Sequence, residues 1–261
     1  MKRIEDAAPQ VTPDLADKIY DFWSRNVNCE KIMGSSITHN NRGTEQYFKD
    51  LEEQRYRSHR HLLPWIEEME SGKSVLEVGC GIGLDSLQMA KQGLTVTAVD
   101  LTDVAIDTVR DRFSSLGIPG EFRVSDATSL PFEDNSFDYV YSFGVLHHAQ
   151  DTAASINEVH RVLKSGGEAK IMLYNRHSIN EIVHRITFIP FEDKDELCPV
   201  VRRYTVKEVK ILFRAFDSVV VKKEFAYGEG YGKLFEYTPR PLYNLLSKWL
   251  GWHLMITAKK V

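Results

Sequence analysis

Cysteine is scarce: Cys29, Cys80 and Cys198 are the only three in 261 residues. Three scattered thiols cannot make a disulfide framework. No CxxC or HxxxH spacing marks a metal site, so no metal is expected. Long apolar runs are missing too. No stretch of about 18 apolar residues reads as a membrane span. The opening MKRIEDAAPQ lacks the apolar segment of a secretory signal, so the expected compartment is the cytoplasm, with no membrane partner. An excess of positive charge is also absent. Lys and Arg number 33 against 37 Asp and Glu, a formal charge of -4. A chain that grips nucleic acid through its overall field should be basic, so no nucleic-acid partner is expected. With 43% hydrophobic and 27% charged residues, the remaining class is an ordinary globular protein of one elaborated domain.

From residue 73 to 175, short β-rich runs alternate with helical ones. SVLEVGC, TVTAVDL, EFRVSDA, FDYVYSFGV and EAKIMLYN read as strands with nearly continuous apolar character. LDSLQMAKQG, TDVAIDTVRDRFSSLG and TAASINEVHRVLKSGG read as helices, the last closed by its glycine pair. Such alternation predicts a parallel sheet covered on both faces. SVVVKKEF and HLMITAKKV add strands six and seven. Residues 1–72 read as an N-terminal helical lid, with one amphipathic run from Thr44 to Met69. Residues 73–261 read as the core, carrying cap insertions near 175–203 and 226–251.

The strongest local motif is Glu77-Val78-Gly79-Cys80-Gly81-Ile82-Gly83, between a strand and a helix. Glycines there let the backbone approach a ligand closely. A dinucleotide fingerprint needs its third glycine where Leu84 stands, which disfavours a nicotinamide dehydrogenase. Asp100 ends the second strand, where a carboxylate can accept from ribose hydroxyls; a helix N-cap is its alternative role. Asp126 ends the third strand and can face an adenine amino group.

Together, VLEVGCG, VDLT, SDATSLPF, FDYVYSFGVLHH and RVLKSGG resemble the class I S-adenosylmethionine (SAM) methyltransferases. The likeness is to the broad ubiquinone/menaquinone-type and natural-product group, and it spans residues 73–175. It implies an α/β, Rossmann-like, seven-stranded sheet, mostly parallel, with strand seven antiparallel. It implies SAM as cofactor and S-adenosylhomocysteine as product. By the same likeness Glu77, Gly79, Gly81 and Gly83 hold the methionine moiety, Asp100 and Leu101 the ribose and one adenine face, and Asp126 and Ala127 the adenine edge. Phe143 sits near the methionine end. An N-terminal helix commonly closes that end, and Arg55 or Tyr47 could meet the cofactor's carboxylate.

His147 and His148 end strand four, and Tyr174 ends strand five, at the edge where open α/β sheets bind ligands. They are the candidate base or acceptor-orienting groups, and packing is the alternative for the histidine pair. Tyr20, Arg176, Tyr227 and Tyr231 are candidate acceptor contacts. The reading is methyl transfer to O or N of a small, partly apolar metabolite. The open alternatives are an RNA or protein methyltransferase, a thiol or metalloid methyltransferase, and a SAM-binding protein without catalysis.

Overall fold

In the computed structural model the described residues are 13–27, 37–188, 197–228 and 231–261. Among the described residues, α1 (Pro13–Arg25), α2 (Glu45–Ser58) and α3 (Leu62–Glu67) precede the sheet. The core then alternates through β1 (Ser74–Val78), α4 (Leu84–Lys91), β2 (Thr95–Asp100), α5 (Asp103–Ser115), β3 (Glu121–Val124), β4 (Phe137–Phe143), α6 (Thr152–Val162) and β5 (Leu163–Asn175). A first insertion holds α7 (Ile179–Thr187) and β6 (Arg203–Tyr204), followed by α8 (Val206–Leu212) and β7 (Ser218–Glu224). A second insertion, α9 (Lys233–Tyr237) and α10 (Arg240–Leu250), precedes β8 (His253–Lys259).

The sheet runs β3-β2-β1-β4-β5-β8-β7, and β8 pairs antiparallel with both neighbours. The seven expected strands are present. An eighth, β6, is a two-residue parallel pairing of Arg203 and Tyr204 with Tyr174 and Asn175. Central strands are buried on both faces because successive side chains point opposite ways. Leu76, Val99, Ile171 and Leu254 face α6 and α8, whereas Val75, Ala98, Met172 and Met255 face α3, α4 and α5. Each fully buried Leu or Val contributes about 1.5–3 kcal/mol over an exposed one.

Two expected boundaries move. The helix predicted through Gly167 stops at Val162, and residues 163–167 open β5 instead. Leu163 is already extended and pairs with Phe137, so the glycines form an irregularity in the strand, Gly166 at φ +81°. Lys260 Nζ donates to the carbonyls of His160 and Leu163 at 2.8 and 2.7 Å, putting a cation at the helix end where its dipole is negative. The run from Thr44 to Met69 is two helices broken at residues 59–61, not one.

Side-chain caps set most starts. Thr102 caps α5, Asp151 caps α6, and Thr205 with Glu208 forms a capping box on α8. Inward-facing Tyr47, Phe48 and Leu51 seat α2 on Ile82, Leu84 and Ala105. Two ion pairs lock it: Arg112 with Glu52, and Arg55 with Asp85. The two insertions share one small core, in which Ala226, Tyr227 and Phe235 meet Ile179, Tyr243 and Leu246.

Candidate active site

The strand order reverses between β1 and β4, so their carboxyl ends diverge and leave a crevice. A cavity of about 330 Å³ occupies it. Gly79 and Gly81 form its floor, at φ +81° and +51°. A Cβ at Gly79 would run into the Val145 side chain, so the turn after β1 admits glycine alone. Gly83 stands outside the cavity as the left-handed N-cap of α4, pressed against Val109.

Asp100 lines the cavity and also braces it. Its Oδ2 accepts from Gly81 N–H at 2.9 Å, and Oδ1 accepts from Thr102 N–H and Oγ1, each at 3.1 Å. Thr102, not Asp100, is the cap of α5, so the carboxylate keeps lone pairs directed at the cavity side. Burial raises its carboxyl above the usual range, against the hydrogen bonds that favour charge. Leu101, Asp126 and Ala127 also line the cavity. Asp126 uses Oδ1 for Thr128 N–H and Oγ1, at 2.7 and 2.8 Å, which fixes the loop after β3.

Glu77 lies behind this wall. It is buried, accepts from Ser86 Oγ, and has its carboxyl pushed well up by burial and by Asp85. Cys80 is also buried, and burial with Asp100 nearby pushes its thiol up. It cannot serve as a thiolate.

Arg55 lines the far end of the cavity beside Phe143, its guanidinium 5.1 Å from the ring centroid. It is already committed to Asp85, through Nε at 2.8 Å and Nη2 at 2.5 Å. Tyr56 and Tyr141 hydroxyls donate to the same carboxylate at 2.9 and 2.8 Å. Burial opposes both charges, yet Arg55 holds the Asp85 carboxyl below its ordinary range. Nη1 makes no hydrogen bond among the described residues and is the nitrogen a ligand carboxylate can use. Tyr47, the other candidate there, is buried between α2 and the glycine loop and does not reach the cavity.

His148 and Tyr174 also line the cavity, their rings 5.9 Å apart. His148 Nδ1 is 2.7 Å from the Val200 carbonyl; a carbonyl only accepts, so Nδ1 carries the proton and Nε2 the lone pair. Trp23 packs edge-on against the His148 ring at 4.9 Å. His147 is fully buried, its ring 3.8 Å from Tyr174, and burial with His148 and Arg202 keeps it neutral. It is the support beneath Tyr174 and does not line the cavity.

The four acceptor candidates lie elsewhere. Tyr20 points away from its helix neighbours Ile19 and Trp23 and donates to Asp103 at 2.9 Å. Arg176 pairs with Glu208 at 3.1 Å and donates to the Arg203 carbonyl. Tyr227 and Tyr231 belong to the cap core, bonded to Thr238 and Asn180 at 2.7 and 2.8 Å.

Sequence reading missed a histidine wall. His59 and His253 line the cavity and stack in parallel with Phe225, at 4.7 Å for His59–Phe225 and 4.5 Å for Phe225–His253. His61 Nε2 meets His253 Nδ1 at 3.2 Å. Burial lowers both His61, to about 3, and His253, so these two rings are uncharged at neutral pH. The available signal was the His-Arg-His break inside an amphipathic run and a histidine opening the last strand.

Residues 76–171 match the family described as methyltransferase domain. Over these residues the chain carries a methyltransferase domain. The chain is 34% identical over 116 residues to a ubiquinone biosynthesis O-methyltransferase of Pseudomonas paraeruginosa, covering 43% of this chain and 50% of the relative. It is 28% identical over 172 residues to a 2-methyl-6-phytyl-1,4-hydroquinone methyltransferase of Synechocystis, covering 65% and 54%. The chain thus spans about half the length of the curated relatives it matches. The fold is that of a SAM-dependent methyltransferase from Thermotoga maritima, with a TM-score of 0.61, 17% identity, and coverage of 93% of this chain and 100% of that one. Among the described residues no helix is long and apolar enough to cross a membrane, and no acidic, His or Cys group could hold a metal.

Proposed function

We propose that the protein transfers a methyl group from SAM to O or N of a small, partly apolar acceptor bound in this cavity. The observation that carries the reading is the convergence of Gly79, Gly81, Asp100 and Asp126 on one cavity that His148 and Tyr174 also line. The donor set fits an adenosyl cofactor: a glycine turn with no room for a Cβ, a buried carboxylate for ribose hydroxyls, and a second carboxylate for an amino edge. Arg55 Nη1 would meet the carboxylate of the methionine portion. Bound there, SAM supplies a methyl group already activated by a sulfonium.

The chain's own work is positioning, exclusion of water and removal of a proton. Phe143 and the neutral His253 present no positive charge to a sulfonium. An amine acceptor needs only to be held in line. A phenol or alcohol must lose its proton, and His148 Nε2 takes it while Nδ1–H stays on the Val200 carbonyl. Apolar Ile19, Trp23 and Val27 from the N-terminal segment complete the cavity, which supports a lid over the acceptor. Hydroquinone and ubiquinone-pathway relatives support an aromatic, partly apolar acceptor.

Calorimetry with SAM and S-adenosylhomocysteine tests the cofactor. Binding in the tens of micromolar or tighter is expected, and Asp100→Ala should weaken it at least tenfold. A folded wild-type protein that binds neither would overturn the reading. A radiolabelled-methyl screen of host metabolite extract then identifies the acceptor. Cofactor binding with no labelled product would favour the non-catalytic alternative.

A further inference from the structure

The second insertion is anchored to the cavity wall yet turns an apolar stripe outward. The Ala226 N–H, one residue past Phe225, donates to Ser247 of α10 at 3.1 Å, and Trp252 N–H donates to the Phe225 carbonyl at 2.8 Å. Ser247 is the buried residue of α10. Leu242, Leu245 and Trp249, spaced three and four apart on one stripe, are 48%, 54% and 68% exposed. Leu234 and Tyr237 of α9 are exposed as well. Burying Ser247 while exposing these side chains is the reverse of what a helix serving only the core would do.

Charge identifies what covers it. Residues 231–250 carry Lys233, Arg240 and Lys248 against Glu236 alone, on a chain whose formal charge is -4. Basic residues flanking an apolar stripe that holds an exposed Trp and Tyr are the chemistry of a helix lying in a lipid interface. A second copy fits less well. Two-fold pairing would set the same basic residues near their own copies and repel.

We infer that α10, with α9, is a peripheral docking surface for an anionic lipid bilayer, opposite to the absence of a membrane partner expected from composition. Leu242, Leu245 and Trp249 enter the headgroup–acyl boundary, and Arg240 and Lys248 meet anionic headgroups. Phe225, His59 and His253 then lie just behind the docked helix, so this wall of the cavity faces the bilayer. The inference concerns a surface and stands apart from the methyl-transfer reading.

The test is co-sedimentation of the full chain with vesicles of phosphatidylcholine alone and of equal parts phosphatidylcholine and phosphatidylglycerol. Binding to the anionic vesicles is expected, at least tenfold weaker on zwitterionic ones and in 0.5 M salt. Leu242→Ser/Leu245→Ser/Trp249→Ser should lose it with an unchanged circular dichroism melt. If that variant does not fold, Arg240→Glu/Lys248→Glu decides, because it alters exposed charge only and should abolish the anionic preference. No sedimentation of the wild type with anionic vesicles overturns the inference. So does binding that survives both variants. A dimer in ultracentrifugation that the triple variant converts to monomer also overturns it, since a second copy would then own the stripe.

Discussion

Arg55→Met should be among the most damaging single substitutions outside the apolar core. The Arg55 side chain is 15% exposed and that of Asp85 2%. Removing the guanidinium leaves a buried carboxylate with only the Tyr56 and Tyr141 hydroxyls as charge-stabilising partners. Breaking a buried ion pair in this way costs about 3–5 kcal/mol, mostly because the surviving charge stays desolvated. For a chain of this size that corresponds to a fall in melting temperature of roughly 6–20 °C. Neutralising the orphan should restore part of it, so Arg55→Met/Asp85→Asn should be at least about 2 kcal/mol more stable than Arg55→Met alone. Acid should act likewise. In the wild type the Asp85 carboxyl is lowered, so its contribution is complete above the usual carboxylate range and is lost only as pH falls below it. In the variant burial raises that carboxyl, and protonation on acidification relieves the penalty. Urea unfolding at pH 8 and pH 5 measures both effects, and the gap between wild type and variant should narrow at pH 5. A single-variant loss below about 1 kcal/mol, or a gap that widens in acid, would refute the account.

Gly79→Ala should weaken SAM binding at least tenfold in calorimetry, because its Cβ meets Val145. Gly117→Ala, also at positive φ but with nothing within 4 Å, should cost only about 1–2 kcal/mol in a melt and leave SAM affinity unchanged. His148→Gln should slow transfer to a phenolic or alcoholic acceptor by roughly 10²–10⁴-fold while changing the dissociation constant for SAM by less than threefold; equal loss with an amine acceptor would remove its role as base. Stability should fall as pH drops below about 6.5, where the unfolded histidines gain protons that His61, His147 and His253 refuse when folded. Each contributes up to about 1.4 kcal/mol per pH unit, for His61 down to about pH 3, so His61→Phe should flatten the profile by one proton's worth.

Legibility in the sequence followed how local each constraint is. Strands such as VLEV and AVD announce themselves because both faces of a parallel sheet are buried and most positions turn apolar, Glu77 and Asp100 being the exceptions. Gly79 and Gly81 were legible because a turn at positive φ excludes nearly every other residue. Asp100 was legible by its place at the end of β2; the cap falls to Thr102, one of the two residues the sequence offers for it, and Thr102 uses Asp100 as its own acceptor. The pair Gly166-Gly167 misled because a glycine after a helix is ordinarily its stop. Here Leu163 had already entered the sheet, and a Cβ at Gly167 would lie 2.9 Å from the Asp138 carbonyl. Arg55 could be picked as a cation near the methionine end, but its partner Asp85, thirty positions on in another helix, could not. The same distance hid the histidine wall, since nothing in the local pattern couples His59 to a residue 194 positions later. The aromatic count near Tyr227 pointed to the acceptor, yet those rings were needed to give two insertions a core of their own.

The neutral histidines and the paired arginine follow one electrostatic logic. If the cavity takes the sulfonium proposed above, it gains from carboxylates near its polar end and loses from any full positive charge near the methyl group. Arg55 lies within reach of Phe143, close enough to repel, but Asp85 cancels its charge and leaves a directional N–H donor. His59 and His253 line the opposite flank of Phe143, where burial and mutual repulsion keep His253 unprotonated. His148 differs because the Val200 carbonyl fixes its Nδ1 proton and directs basicity to Nε2. The cavity's basic side chains therefore divide by state: one guanidinium paired with a carboxylate, His253 held neutral by burial, and one ring whose Nδ1 proton is fixed on a carbonyl. Replacing His253 with Lys would break that division, and the physical argument requires such a variant to lose SAM before it loses its sheet.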